Sequence, residues 1–131
     1  MSIDTIGNFV TIIRNGVLAS KREVTSGYSH LKYQIAQLLK QEGFIKDVAV
    51  FEDEKTHKYI KIVLKYVDGE SAIHEITRIS TPGRRVYDTV AHLKPVIGGL
   101  GVAILTTNRG VITDKQAKQL AVGGEVICTV W

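Results

Sequence analysis

Five consecutive residues, Thr106-Thr107-Asn108-Arg109-Gly110, gather two hydroxyls, a carboxamide, a guanidinium and a glycine. Such groups match the donors and acceptors on base edges, 2′-hydroxyls and phosphate oxygens, and Arg109 adds charge. The stretch is expected between a buried strand and a capped helix, a junction that can present side chains and backbone N–H groups to one ligand. A plain polar loop followed by a helix cap would use the same residues. A second group, Pro82-Gly83-Arg84-Arg85-Val86-Tyr87, sets two guanidinium groups beside an aromatic ring, a combination suited to phosphate contact and base stacking. A solvated turn with Tyr87 half-buried accounts for it equally well.

Other chemistries find less support. His30, His57, His74 and His92 are scattered, without the close spacing of metal sites or acid–base pairs. Glu52, Asp53 and Glu54 sit in a lysine-flanked turn, where carboxylates keep a loop hydrated. Gly98-Gly99-Leu100-Gly101 is glycine-rich but precedes a strand, whereas phosphate-cradling loops follow a strand and open a helix. No serine or cysteine stands in a nucleophile elbow. The single cysteine, Cys128, lies among Val126, Ile127 and Val130 and is expected to be inert packing. No catalytic residue, metal or cofactor is expected.

The elements that position these groups follow from periodicity. Ile6, Phe9, Val10, Ile13 and Val17 recur at helical spacing, with Asp4 or Thr5 as the cap. Glu23 to Ser26 is a short strand candidate. Ser29 starts a second helix with Leu31, Ile35, Leu38 and Leu39 on its inner face, ending at Gly43. Strands are expected over 44–51 and 58–67, the second alternating Ile60, Ile62 and Leu64 with polar neighbours. After the turn signal Asp68-Gly69 the texture changes to short strands over 72–79, 84–87, 102–105 and 125–131. Thr113 and Gln116 form a capping-box pattern for a short helix over 114–120. The fold class is therefore α+β with two small domains. Residues 1–68 form an α/β half (helix, strand, helix, strand, strand), packed on a mainly β half, residues 69–131, with one short helix. Halves this small bury too little surface to stand comfortably alone.

A chain of 131 residues, 44% hydrophobic, with 17 Lys+Arg against 13 Asp+Glu, is too apolar for a disordered segment and too short for a large multidomain enzyme. No apolar run could span a bilayer, and Met1-Ser2-Ile3-Asp4 does not start a secretory signal, so the cytoplasm is the expected location. Residues 1–75 are balanced in charge. The whole excess of +4 lies in residues 76–131, which points to an anionic partner for that half. A small nucleotide-holding enzyme built on the 98–101 loop and a protein-only adaptor using the N-terminal helix faces are the rival classes.

The ordered set Gly99-Leu100-Gly101-Val102-Ala103-Ile104-Leu105, Thr106 to Gly110, Thr113-Asp114 and Gly123-Gly124-Glu125-Val126-Ile127-Cys128 resembles the bacterial type of the ribosomal protein S-eight family. Ile79 to Tyr87, Leu39 to Ile45 and Arg14-Asn15 extend the likeness over nearly the whole length. The resemblance implies a non-catalytic, two-domain α+β protein that binds the central domain of 16S-type small-subunit ribosomal RNA and helps assemble the platform. It implies a main RNA contact at a Ser-Thr-Ser-Lys-Gly loop, here Thr106, Thr107, Asn108, Arg109 and Gly110, with Asn108 standing where the family has serine. Arg85 and Arg109 are expected to hold phosphates, with Tyr87 stacking or packing at the sugar–phosphate edge. Gly123 and Gly124 permit close backbone approach, and Glu125 fixes the neighbouring loop. Secondary RNA contacts are expected from Thr5, Asn8, Arg14, Asn15, Ser29 and Lys32. Ribosomal proteins S five and S twelve are the expected neighbours in the particle, and the free protein is expected to be a monomer, with no membrane partner.

Overall fold

The computed structural model describes residues 4–88 and 100–131. His92, Lys94, Pro95 and Gly98-Gly99 lie outside the described residues. The architecture is α+β, and the chain divides into two compact units, residues 8–74 and residues 1–7 with 75–131.

The 8–74 unit carries most of helix α1 (Thr5–Leu18), strand β1 (Glu23–Gly27), helix α2 (His30–Gln41), strands β2 (Ile45–Glu52) and β3 (Lys58–Leu64), and the hairpin β4 (Tyr66–Val67) with β5 (Glu70–Ser71). The first three strands form an antiparallel sheet in the order β1-β3-β2, with Ile62 opposite both Val24 and Val48. Most of the predicted apolar stripes are buried: Phe9, Val10 and Ile13 of α1, Ile35, Leu38 and Leu39 of α2, and Ile60, Ile62 and Leu64 of β3, joined by Ala36, whereas Leu31 is only partly buried. Ser29 caps α2 by accepting the Lys32 N–H at 3.1 Å. Asp53 organises its turn: Oδ1 accepts the N–H groups of Lys55 and His57, each at 2.9 Å, and the His57 bond heads the causes that hold its carboxyl below the usual range.

The turn Asp68-Gly69 lies inside this unit rather than between units. Both residues take positive φ, 52° and 81°, and close the β4–β5 hairpin, as an Asp-Gly type I′ turn does. Compactness accordingly changes at His74–Glu75, after that hairpin is complete. The strand expected over 72–79 shortens to β6 (Ile76–Arg78), and its first residue instead extends the preceding hairpin, the Ala72 N–H donating to the Lys65 carbonyl at 2.9 Å.

The other unit is built around β10 (Gly124–Val130). On one side it pairs with β8 (Val102–Thr107), which continues to β9 (Gly110–Thr113); on the other it pairs with β6 and β7 (Tyr87–Asp88). Helix α3 (Asp114–Leu120) has the expected capping box: Thr113 Oγ1 accepts the Gln116 N–H at 3.2 Å and Gln116 Oε1 accepts the Thr113 N–H at 3.0 Å. Ala117 of α3 buries itself with Ala103, Leu105, Ile112 and Val126 on one sheet face. A bulge between Val126 and Cys128 leaves the Ile127 carbonyl free of β8, where it accepts from the Ile79 N–H and from Arg78 Nη1 at 2.9 Å. Arg78 also reaches Asp4, whose Oδ1 caps the start of α1 by accepting the Gly7 N–H at 2.9 Å. Cys128 is buried and its thiol is pushed up to about 12 by that burial, as inert packing requires.

Candidate nucleic-acid interface

The polar stretch Thr106 to Gly110 is a hairpin tip and not a strand–helix junction, because β9 intervenes before α3. Thr107 pairs with Gly110, leaving Asn108 and Arg109 as the exposed turn. Backbone φ stays negative at those two residues and becomes +101° at Gly110, the pattern of an ordinary turn closed by a left-handed residue. Thr107 braces the turn from within: Oγ1 accepts the Arg109 N–H at 3.0 Å and donates to the Gly110 carbonyl at 3.0 Å. Thr106 belongs to β8 itself, flanked by β10 and β9, and its Oγ1 is buried without a hydrogen-bond partner among the described residues. The expected presentation of both hydroxyls is therefore corrected. The groups that face solvent at the tip are the Asn108 amide and the Arg109 guanidinium.

Strand pairing brings the rest of the primary set to this tip. Tyr87 of β7, Glu125 of β10 and Thr106 of β8 are directly opposite one another, so they share one sheet face at the ordinary strand spacing of about 4.8 Å. Tyr87 is 69% exposed, an open ring rather than a half-buried one. Gly124 does permit a close approach, but the partner is this chain's own backbone: a Cβ at that position would collide with the Thr106 carbonyl oxygen. Gly123 precedes it in an exposed position. Glu125 is paired with Arg85 of the neighbouring loop, whose Nη1 lies 3.0 and 3.2 Å from its two carboxylate oxygens.

The secondary set is divided. Thr5, Asn8, Arg14 and Asn15 are exposed along α1. Ser29 is committed to its cap, and Lys32 turns inward, donating to Ser26 Oγ at 3.4 Å and the Gly27 carbonyl at 3.3 Å, with burial lowering its pKa. Both side chains help build the β1–α2 connection.

The model of the family described as ribosomal protein S8 matches residues 4–131. The chain belongs to the ribosomal protein S8 family. A small ribosomal subunit protein uS8 of Thermosipho melanesiensis is 50% identical over 98% of each chain, and those of Marinobacter nauticus and Thermodesulfovibrio yellowstonii are 48% and 46% identical over 97–100%. Ribosomal protein S8 is a structural family, and its members are not enzymes. Among the described residues no three His, Cys, Asp or Glu side chains converge as a metal site would need, and no helix is long and apolar enough to cross a membrane.

In this S8 chain one residue of the 80–86 loop has a disposition that its sequence position does not reveal. Arg84 is exposed, with its backbone locked to Thr81 by bonds of 2.9 and 3.1 Å, while its guanidinium is without a side-chain partner among the described residues. Two adjacent arginines look alike in sequence. Which of them is spent on an internal carboxylate depends on Glu125, forty residues away.

Proposed function

We propose that the chain is a structural constituent of the small ribosomal subunit that binds the central domain of 16S-type ribosomal RNA directly and helps assemble the platform. The observation that carries this reading is the exposed, internally braced Asn108-Arg109 tip in the same sheet as the open ring of Tyr87, in the basic part of the chain. Regular A-form RNA offers side chains only a shallow minor groove, whereas an irregular internal loop opens base edges. A pre-formed tip fits such a loop by shape. Asn108 then supplies both a donor and an acceptor to base edges or 2′-hydroxyls, Arg109 neutralises a phosphate, and Tyr87 lies against the sugar–phosphate edge. Thr5, Asn8, Arg14 and Asn15 serve as a second, weaker contact. The unit formed by 1–7 and 75–131 is the principal RNA-binding domain, the free protein is a cytoplasmic monomer, and ribosomal proteins S five and S twelve are its neighbours in the particle.

A gel-shift comparison tests the reading. A folded transcript of the RNA central domain is expected to bind well ahead of single-stranded or unrelated structured RNA. Asn108→Ala should lose on the order of 1 kcal/mol of affinity, the value of one interfacial hydrogen bond, with an unchanged melting temperature. Equal binding to all three RNAs, or an Asn108→Ala variant that melts earlier yet binds as before, would reduce the tip to a turn.

A further inference from the structure

The loop from Ser80 to Val86 is pinned three times. Ser80, fully buried, accepts the Val86 N–H at 2.9 Å through its hydroxyl and donates to the Val86 carbonyl at 3.2 Å. Thr81 and Arg84 exchange backbone bonds across the inner turn. Arg85 is paired with Glu125, whose side chain is only 12% exposed. A carboxylate so far withdrawn from water holds its cation strongly, since losing it would leave a desolvated charge uncompensated. Although its own side chain is 56% exposed, the Arg85 guanidinium already has an anion in contact and offers a phosphate less charge than an unpaired one would. Arg84 has the opposite arrangement: a fixed backbone, an exposed side chain and no paired anion among the described residues.

We infer that Arg84, not Arg85, is the phosphate-neutralising residue of this loop, standing three positions before the exposed Tyr87 ring, and that Arg85 is a positioning residue that clamps the loop to Glu125. The ligand group is an RNA phosphodiester, and the inference rests on the RNA-binding reading above.

Salt dependence separates the two roles, because the slope of log K against log salt counts neutralised phosphates at about 0.9 each on a duplex, and positioning residues do not enter it. The experiment measures that slope on a folded transcript of the central domain for the wild type, Arg84→Gln, Arg85→Gln and the double variant Arg85→Gln/Glu125→Gln. Arg84→Gln should flatten the slope by about 0.9, which amounts to about a threefold smaller loss of binding over a fourfold rise in salt. Arg85→Gln should weaken binding at unchanged slope, and the double variant, which removes the orphaned charge, should recover much of that loss. If Arg85→Gln does not fold, the double variant alone decides, its slope expected to equal that of the wild type. An unchanged slope in Arg84→Gln, or a slope flattened whenever Arg85 is replaced, would overturn the assignment. Failure of the wild type to bind would instead remove the RNA-binding reading, and this inference with it.

Discussion

At the residue scale, the chemistry of the tip separates into groups that build it and groups that face outward. Thr107 uses its hydroxyl as both donor and acceptor inside the turn, so its value lies in holding Asn108 and Arg109 in one geometry. Thr107→Val keeps shape but removes both bonds, and should cost about 1–2 kcal/mol of RNA affinity, while Thr107→Ser, which restores the hydroxyl, should recover most of it. Isothermal titration with the central-domain transcript checks this; a serine variant as weak as valine would show that the methyl group matters instead. The two glycines of the site serve different ends. Gly110 is needed for its φ of +101°, since a Cβ there would meet nothing, whereas Gly124 is needed for space against Thr106. Sequence alone exposes the residue types but not these commitments, because each depends on a partner brought in by strand pairing.

At the element scale, local signals were legible wherever a cap or a period sufficed. Ser29, the Thr113–Gln116 capping box and the alternation Ile60-Ile62-Leu64 each specify their element from a few adjacent residues. The hairpin β8–β9 was not legible, because its turn is Asn-Arg and its left-handed glycine falls one place later, so the common Asn-Gly signal is absent. Likewise β7 exists only because Gly124 and Glu125 are there to pair with it. The start of α1 has its own pH signature. Burial alone would raise the Asp4 carboxyl, but the Gly7 N–H and Arg78 outweigh it and hold it below its ordinary value of 3.8. A depressed folded pKa means stability that is complete above that ordinary value and is lost as pH falls through the folded one. Asp4→Asn should therefore lower the melting temperature at neutral pH, with the gap to the wild type closing below about pH 4. A gap of constant size down to pH 2 would show that the carboxylate charge contributes nothing.

At the scale of the whole molecule, the two compact units have unlike surfaces and unlike roles in the account. All of the net positive charge traces to residues 76–131, and the same stretch carries the tip, the Tyr87 ring and Arg84. In the proposed reading, charge brings an anionic polymer near, and the braced hairpin selects which fold of that polymer fits. The α+β class and the family were recoverable from the sequence, since they rest on patterns carried by the whole chain. The position of the compactness boundary was not, because an Asp-Gly turn marks a hairpin as readily as a division between units. Residue-resolved amide shifts on adding a central-domain RNA fragment test the central claim most directly. The largest changes are expected at Asn108, Arg109 and Gly110, with further ones around Arg84 and Tyr87. Changes confined to residues 8–74, with the 106–110 amides unmoved at saturation, would contradict that claim.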